Sequence, residues 1–589
     1  MQYLHSKYTL DKPVPKNIAI FLKEKAGEFA NNYVFNYYDK KENTFIGITW
    51  GQFYRDILSY VSYLTQLGFK KGEKMVIFSP NCYEMLVTEL AVMAAGGVAV
   101  PIFAFFKKDT ANMLIDFCDA QYLTIHGEFQ YLQFTKHPGL KKIICFDKVL
   151  ALHKSHENII PFDAFINSGY IGNEEEILDF SADKDTVCLN MYTSGTMGIP
   201  KCVQLTHQNI LSQQVAMSYL WNITPGDRFL SYLPWHHSFG GIFELFAALY
   251  NGAPYYLEPS YGKDITSIIQ SWKKIFPTVF FSVPKIHKSL VEFMYEDPAF
   301  EKELFHSGLK FIFTAAAPLP SNIANEYLSR NVKIMEGWGL TETSPCCTIA
   351  VSEKERQEGV VGFPIPGVEI RLDEDNEIQV KGPNVLKGYY KNEEANKEIF
   401  TKDGWFRTGD IGEITPKGLK LISRKDRIFK LSNGEKVIPS DIEKLIEGKC
   451  CYIAYTLVYG SGKEYPVALL FPNKKMLEHP NYEHTPNEGC FCPRTLDELK
   501  KCLSGCLCQT NDSIKQKFSK IKVAAIIDSE LSIEDGTLTP SLKPSPKTII
   551  QKYADKIEKL YNNKLPSDND LYVIVLDNHL KNSFLYGGN

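Results

Sequence analysis

A β-prone run, Val187, Cys188, Leu189, Met191 and Tyr192, leads into the stretch Met191–His207, which reads MYTSGTMGIPKCVQLTH. Apolar and aromatic residues that end on a cluster of Ser, Thr and Gly predict a strand running into a loop. The loop sets Thr193, Ser194 and Thr196 around Gly195 and Gly198 and closes on Pro200-Lys201. Glycines let a backbone turn its N–H groups toward an anion, hydroxyls add donors, and a lysine adds a point charge. A chain of phosphates needs that inventory. SGTMG alone would read equally well as a polar surface loop, so its company has to decide. The Gly-x4-Gly-Lys-Ser/Thr spacing of the mononucleotide phosphate loop does not occur in this stretch, which excludes that device here.

Length sets the frame for that loop. A chain of 589 residues exceeds a single hydrophobic core, so two or more domains are expected. Composition, 44% hydrophobic and 23% charged, is that of an ordinary globular protein. The formal net charge of −4, with no long run of one sign, gives nucleic-acid binding no support. An anionic ligand must therefore be met by local loops. The N-terminal MQYLHSKYTLDKPVPK lacks an apolar core of signal-peptide length. The longest apolar run, Leu86 to Phe106, is broken by Glu89, Gly96-Gly97 and Pro101, and reads as a buried helix followed by a strand. A cytoplasmic location is expected, with peripheral membrane contact and oligomeric state left open. Fourteen scattered cysteines argue for reduced thiols. Cys490, Cys492, Cys502, Cys506 and Cys508 lack the paired Cys-x2–4-Cys spacing of a zinc site, so a thiol-rich insertion near 474–515 is expected.

Residues 15 to 180 alternate helix-like stretches (Ile18–Ala30, Trp50–Leu67, Asn81–Ala95) with short apolar strands (Lys74–Phe78, Val98–Phe103, Tyr122–Ile125, Lys142–Phe146). That alternation predicts an α/β unit with a largely parallel sheet. A second α/β half is expected from Gln208 to Gly362. From Val368 to Leu421 the strands shorten (Glu369–Leu372, Glu377–Val380, Leu419–Ile422) and turn signals crowd in, which predicts a small β subdomain. Thr548–Tyr561 is amphipathic and predicts a C-terminal helix.

The loop's company is YLPWHHSFGG (232–241), FTAAAPLP (313–320), EGWGLTETSP (336–345), GWFRTGDIGEI (404–414), SRKDRIFKLSNGEKVIPSDIE (423–443) and LTPSLK (538–543). In this order these segments resemble the adenylate-forming superfamily of acyl-CoA synthetases, non-ribosomal adenylation domains and luciferases. LSNGEK and LTPSLK look most like the long-chain fatty acyl-CoA synthetase branch. The resemblance implies an α/β architecture in which a large N-terminal domain (1–424) holds two α/β subdomains and the small β subdomain. A hinge at 425–427 then leads to a smaller, mobile α+β lid (428–565), and residues 566–589 are an extension without an assigned role.

The implied chemistry is activation of a carboxylate, a poor acyl donor because its charge repels nucleophiles and oxide cannot leave. Attack on the α-phosphate of ATP makes a mixed anhydride whose leaving group is AMP, and coenzyme A then takes the acyl group. The resemblance implies that Thr193, Ser194, Gly195, Thr196, Gly198 and Lys201 hold the β- and γ-phosphates. His237 lies near the substrate carboxylate. Ala315, Ala316, Ala317 and Pro318 form the adenine loop, alanine replacing the usual leading glycine. Glu336, Gly337, Trp338 and Gly339 continue the nucleotide site, Thr341 donates to the α-phosphate, and Glu342 is the Mg²⁺ ligand. Asp410 accepts the ribose hydroxyls, since a carboxylate is a pure acceptor, and Arg424 adds a contact to the same ribose. Asp426 is the hinge residue, Gly434 lines the pantetheine tunnel, and Lys543 reaches the carboxylate and α-phosphate.

Two positions depart from the pattern. Met197 stands where a threonine is usual and Cys202 replaces the glycine after Pro-Lys, the first removing a hydroxyl and the second adding bulk. The expected reaction is formation of acyl-CoA from a medium- or long-chain fatty acid, ATP and coenzyme A. Alternatives left open are a ligase that stops at acyl-AMP or loads a carrier protein, and an acyl-adenylate-binding protein weakened in catalysis.

Overall fold

The computed structural model describes residues 1–135, 137, 139–154, 158–169, 173–193, 201–315, 317–353, 356–450, 452–474, 477, 493–532, 535–539, 544–562, 571–577 and 580. Two compact units emerge: Met1–Thr408 with Glu413–Leu421, and Gly409–Gly412 with Ile422–Asn589.

In the first unit, the apolar runs become the inner strands of two sheets. Among the described residues the first sheet has eight strands, in the order Gly388–Tyr389, Lys201–Thr206, Val187–Thr193, Val98–Ile102, Lys74–Phe78, Tyr122–Ile125, Lys142–Cys145, Ile159–Pro161. From Val187–Thr193 outward to Ile159–Pro161 the pairings are parallel. Val98–Ile102 is buried at every position, as an inner parallel strand covered on both faces must be. The long apolar run resolves into the helix Tyr83–Ala94, buried from Met85 onward, followed by that strand. Gly96, at φ +78°, turns the chain between them. Among the described residues no helix is long and apolar enough to cross a membrane.

The second sheet runs parallel through Tyr255–Leu257, Phe229–Ser231, Val279–Ser282, Phe311–Thr314 and Lys333–Gly339. It turns antiparallel at Cys346–Ser352 and continues through Val360–Pro364 to Gly418–Arg424. The short strands of the small β subdomain thus extend this sheet rather than forming a separate layer. Gln2–Leu4 adds a strand against Glu369–Leu372.

The second unit is built on one sheet, Ile453–Tyr459, Val467–Pro472, Val523–Ile527 and Leu571–Val575 in that order. Alternation along Val467–Pro472 explains its two cores. Ala468 and Leu470 face Ile442 and Ile446 of the helix Pro439–Lys449 and Leu499, Leu503 and Leu507 of the helix Leu496–Ser513. Val467, Leu469 and Phe471 face Ile549, Ile557 and Leu560. Cys502, Cys506 and Cys508 therefore stand on a helix that carries part of the core, while Cys490 and Cys492 lie outside the described residues.

One expectation is corrected. The single helix Thr548–Tyr561 is two, Pro546–Lys552 and Ala554–Tyr561. The break is at Tyr553, whose ring packs on Phe471 and whose hydroxyl bonds Ser529. Within residues 566–589, left without a role by the sequence, Leu571–Val575 pairs along its whole length with Val523–Ile527 and supplies Leu571 and Val573 to the core.

Candidate active site

The strands Val187–Thr193 and Lys201–Thr206 pair antiparallel. Thr193 ends one strand, Lys201 begins the next, and the two residues pair directly across the antiparallel ladder. Ser194, Gly195, Thr196, Met197 and Gly198 lie outside the described residues. Lys201 projects its ammonium over the ring of Tyr389, 4.8 Å from the centroid. Among the described residues no carboxylate pairs with it. Cys202 is an interior strand residue opposite Tyr192, and burial pushes its thiol up to about 12. The bulk expected there is absorbed by the core, and the thiol is an unreactive one.

The LPWHHSFGG segment is held from beneath by Asn81, whose Nδ2 donates to the Leu233 carbonyl at 2.8 Å and whose Oδ1 accepts from Trp235 N–H at 3.0 Å. The chain then winds into a turn of π-helix, Phe239–Glu244, a form that recurs at functional sites. A Cβ on Gly241 would fall 2.0 Å from the Trp235 carbonyl oxygen, so glycine is required for the π-helix to settle on that loop. His237 Nδ1 accepts from Phe239 N–H at 3.4 Å, which in the neutral ring places the proton on Nε2. Ser238 Oγ lies 3.1 Å from Thr341 Oγ1 and joins this segment to the LTET turn. His236 stacks obliquely on Phe103 at 5.1 Å, and burial lowers it to about 3, so it is a neutral packing residue.

The residues expected to hold the nucleotide stand at the C-terminal ends of the parallel strands Phe311–Thr314 and Lys333–Gly339, where open α/β sheets bind ligands. Ala315, Ala317 and Pro318 follow the first strand, and Ala316 lies outside the described residues. Trp338 is buried on the second strand, with Gly337 and Gly339 on either side. A Cβ on Gly339 would lie 1.6 Å from the Pro345 carbonyl oxygen, so the close approach of these backbones demands glycine. Glu336, expected in the nucleotide site, gives its carboxylate to Arg356, with Nη2 donating at 2.7 Å, and accepts from Leu319 N–H at 3.4 Å. It braces the Pro318-Leu319-Pro320 loop. Arg356 was not legible as its partner, since the pairing spans twenty residues without any motif.

Thr341, Glu342 and Thr343 form a single 3₁₀ turn. Thr343 Oγ1 bonds the Leu340 backbone in both directions, and Asn384 Nδ2 donates to the Thr343 carbonyl at 3.0 Å. Glu342 is only 9% exposed, and its Oε1 accepts from the Tyr389 hydroxyl at 2.8 Å. Among the described residues no cation pairs with this carboxylate. A buried, uncompensated carboxylate is costly, and a hard divalent cation coordinated by oxygen is the chemistry that would offset it. Glu342 fits the magnesium role. Tyr389 has no counterpart in the sequence reading; Gly-Tyr-Tyr carries no spacing that announces a site.

In the second unit, Arg424 Nη1 lies 3.1 Å from Asp410 Oδ1 and its Nε 3.6 Å from Asp426 Oδ1. The two residues expected at one ribose are thus neighbours. Asn433-Gly434-Glu435 makes a tight turn between Phe429–Lys430 and Lys436–Val437, closed by Glu435 N–H on Asn433 Oδ1 at 3.1 Å. Gly434 has φ +86°, the left-handed region, and nothing lies within 4 Å of where its Cβ would be. Lys543 lies outside the described residues.

Taken together, the first unit is an α/β fold in which the motif-bearing loops follow the C-terminal ends of parallel strands. Residues 22–390 match the AMP-binding enzyme family, and residues 426–565 match the AMP-binding enzyme C-terminal domain. The chain belongs to the AMP-binding enzyme family. It is 27% identical over 603 residues to long chain acyl-CoA synthetase 3 of Arabidopsis thaliana, covering 89% of this chain and 88% of that one. It is 28% identical over 572 residues to long-chain-fatty-acid–CoA ligase 6 of Rattus norvegicus, covering 85% and 80%. The fold matches that of O-succinylbenzoate coenzyme A synthetase from Bacillus subtilis in complex with AMP, with a TM-score of 0.68, 21% identity, and 89% and 96% of the two chains covered. It also matches the adenylation domain of a carboxylate reductase from Mycobacterium chelonae, with a TM-score of 0.75, 17% identity, and 94% and 92% covered.

Proposed function

We propose that the protein converts a medium- or long-chain fatty acid, ATP and coenzyme A into acyl-CoA, AMP and pyrophosphate, through an enzyme-bound acyl-AMP. The observation that carries this reading is the convergence of Lys201, Tyr389 and Glu342 at one point of the first unit, with Ser238 joining Thr341 to the His237 segment. The names of the relatives, long chain acyl-CoA synthetase and long-chain-fatty-acid–CoA ligase, support the choice of acid and acceptor.

In this reading Thr193, the loop 194–198 and Lys201 hold the β- and γ-phosphates, and Thr341 donates to the α-phosphate. His237 orients the fatty carboxylate for in-line attack. The crevice beyond Ala315, Ala316, Ala317 and Pro318 takes adenine, beside Gly337, Trp338 and Gly339. Asp410 and Arg424 hold the ribose, and Lys543 lies between the two anions. Magnesium, held by Glu342, would supply charge neutralisation on the phosphate oxygens. The residues' own task is to bind a polyanion, orient one carboxylate and exclude water. Residues 425–427 serve as the hinge and 428–565, with the strand at 571–575, as the lid that turns between the two half-reactions.

The test is mass-spectrometric detection of acyl-AMP, AMP and acyl-CoA from a panel of fatty acids with ATP and Mg²⁺, first without and then with coenzyme A. Acyl-CoA formation supports the reading. Acyl-AMP that accumulates unchanged when coenzyme A is added would move the protein to the acyl-AMP ligases, and tight acyl-AMP binding without turnover to the weakened binders. Met197 makes that last outcome worth measuring. Met197→Thr restores a hydroxyl beside the triphosphate, so pyrophosphate release should stay equal or rise. Loss of pyrophosphate release in that variant would show that the loop is arranged differently from the family's.

A further inference from the structure

From the geometry around Tyr389 we infer that this side chain is a positioning residue that couples the phosphate-holding lysine to the metal-holding glutamate. The inference deepens the proposed function and rests on that reading. Tyr389 lies on the strand Gly388–Tyr389, paired with Val203 two residues beyond Lys201. Its backbone is pinned from both sides by Asn396, whose Oδ1 accepts from Tyr389 N–H at 2.7 Å and whose Nδ2 donates to the Tyr389 carbonyl at 2.9 Å. The side chain is only 3% exposed. From this fixed base one ring does two things. Its face lies under the Lys201 ammonium at 4.8 Å, within cation–π range. Its hydroxyl donates to Glu342 Oε1 at 2.8 Å.

Each contact answers a specific need. The lysine side chain is a flexible stem, and an aromatic face narrows where its ammonium can sit before a phosphate arrives. The glutamate is buried with no cation beside it among the described residues, and the hydrogen bond from the tyrosine fixes the plane of its carboxylate. The hydroxyl engages one lone pair of Oε1 and leaves the rest of the carboxylate able to accept a metal. Outer partners of this kind orient a ligand without touching the metal. Because one ring carries both contacts, displacing the lysine and displacing the carboxylate become the same event.

The test compares the full chain with Tyr389→Phe, which keeps the ring and removes the donor, and Tyr389→Leu, which removes both. Two readouts are taken. The first is Mg²⁺ affinity, measured calorimetrically in the presence of α,β-methylene-ATP, which does not depend on turnover. The second is the Mg²⁺ dependence of pyrophosphate release. Tyr389→Phe should weaken Mg²⁺ binding about tenfold or more, the effect of losing one hydrogen bond to a charged group. Its affinity for the analogue without metal should be unchanged. Tyr389→Leu should lose affinity for the analogue as well. Because Tyr389 acts through Glu342, the pair Tyr389→Phe and Glu342→Gln should be non-additive in Mg²⁺ affinity. Unchanged Mg²⁺ affinity in Tyr389→Phe, or additive effects in the double variant, overturns the inference. A wild type that binds Mg²⁺ and the analogue yet adenylates no fatty acid would remove the proposed function and leave this comparison standing.

Discussion

Glu342→Gln should lower turnover by about 10²-fold or more, the scale of losing one electrostatic stabiliser in a dry site, and should flatten the Mg²⁺ titration. The substitution is chosen because it is nearly isosteric. Glutamine retains a carbonyl oxygen that can accept the Tyr389 hydroxyl, so the contact at 2.8 Å survives while the charge goes. What a structural role would predict is the opposite pattern. The carboxylate is buried without a cationic partner among the described residues, so neutralising it removes a desolvation cost. The melting temperature of the metal-free protein should therefore hold or rise while activity collapses. A parallel fall in melting temperature and activity, with the Mg²⁺ titration unchanged, would return Glu342 to the scaffold. The same titration in Asp410→Asn should keep its midpoint, since that carboxylate stands by Arg424 and is proposed to hold the ribose, not the metal.

How far the sequence could be read depended on which forces act locally. Lys74–Phe78 and Tyr122–Ile125 were legible to the residue because a short β-prone run bounded by turn residues leaves little choice. The helix starts were legible where a cap exists, as at Asn17, whose Oδ1 accepts from Ile20 N–H. The break at Tyr553 was not, because the helical pattern runs through it and only the packing of its ring on Phe471 decides otherwise. The strand Leu571–Val575 is a well-formed β-prone run, YVIV included, but its place beside Val523–Ile527 is a long-range pairing that no local pattern states.

The site divides along the same line. Residues expected to contact a ligand carry motif chemistry, so the resemblance names Thr193, Lys201, Thr341 and Glu342. Residues that hold those residues do not. Asn81 under the LPWHHS loop, Asn384 under the LTET turn, Arg356 on Glu336 and Tyr389 on Glu342 act across gaps of tens to hundreds of residues. Glu336 shows what this leaves out. It is expected in the nucleotide site from its place in a motif, and its carboxylate also pairs with Arg356, a partner that no motif announces. A lone charge inside a motif says that the position matters, and geometry alone says to what.

Lys543→Ala should abolish adenylation from ATP, with a loss of about 10²-fold or greater on the same electrostatic scale, yet spare transfer from chemically supplied acyl-AMP to coenzyme A. The two half-reactions make different demands. When a carboxylate approaches the α-phosphate, two anions must meet, and an ammonium between them offsets a repulsion that grows as water is excluded. Once the mixed anhydride exists, thiolate attack on its carbonyl needs an open path for pantetheine and no cation at that point. Gly434→Leu should show the mirror image, with acyl-AMP formation nearly intact and thioester formation impaired. Its turn gives two routes to that loss, which stability separates. At φ +86° a leucine is strained by roughly 1–2 kcal/mol, and strain would lower the melting temperature. Gly434→Asn, which tolerates this backbone far better, controls for it. Crowding predicts that Leu impairs thioester formation far beyond what its melting temperature explains and that Asn does so mildly. If Lys543→Ala impairs both half-reactions equally, the lysine is structural, and the case for a lid that turns between two poses loses its main support.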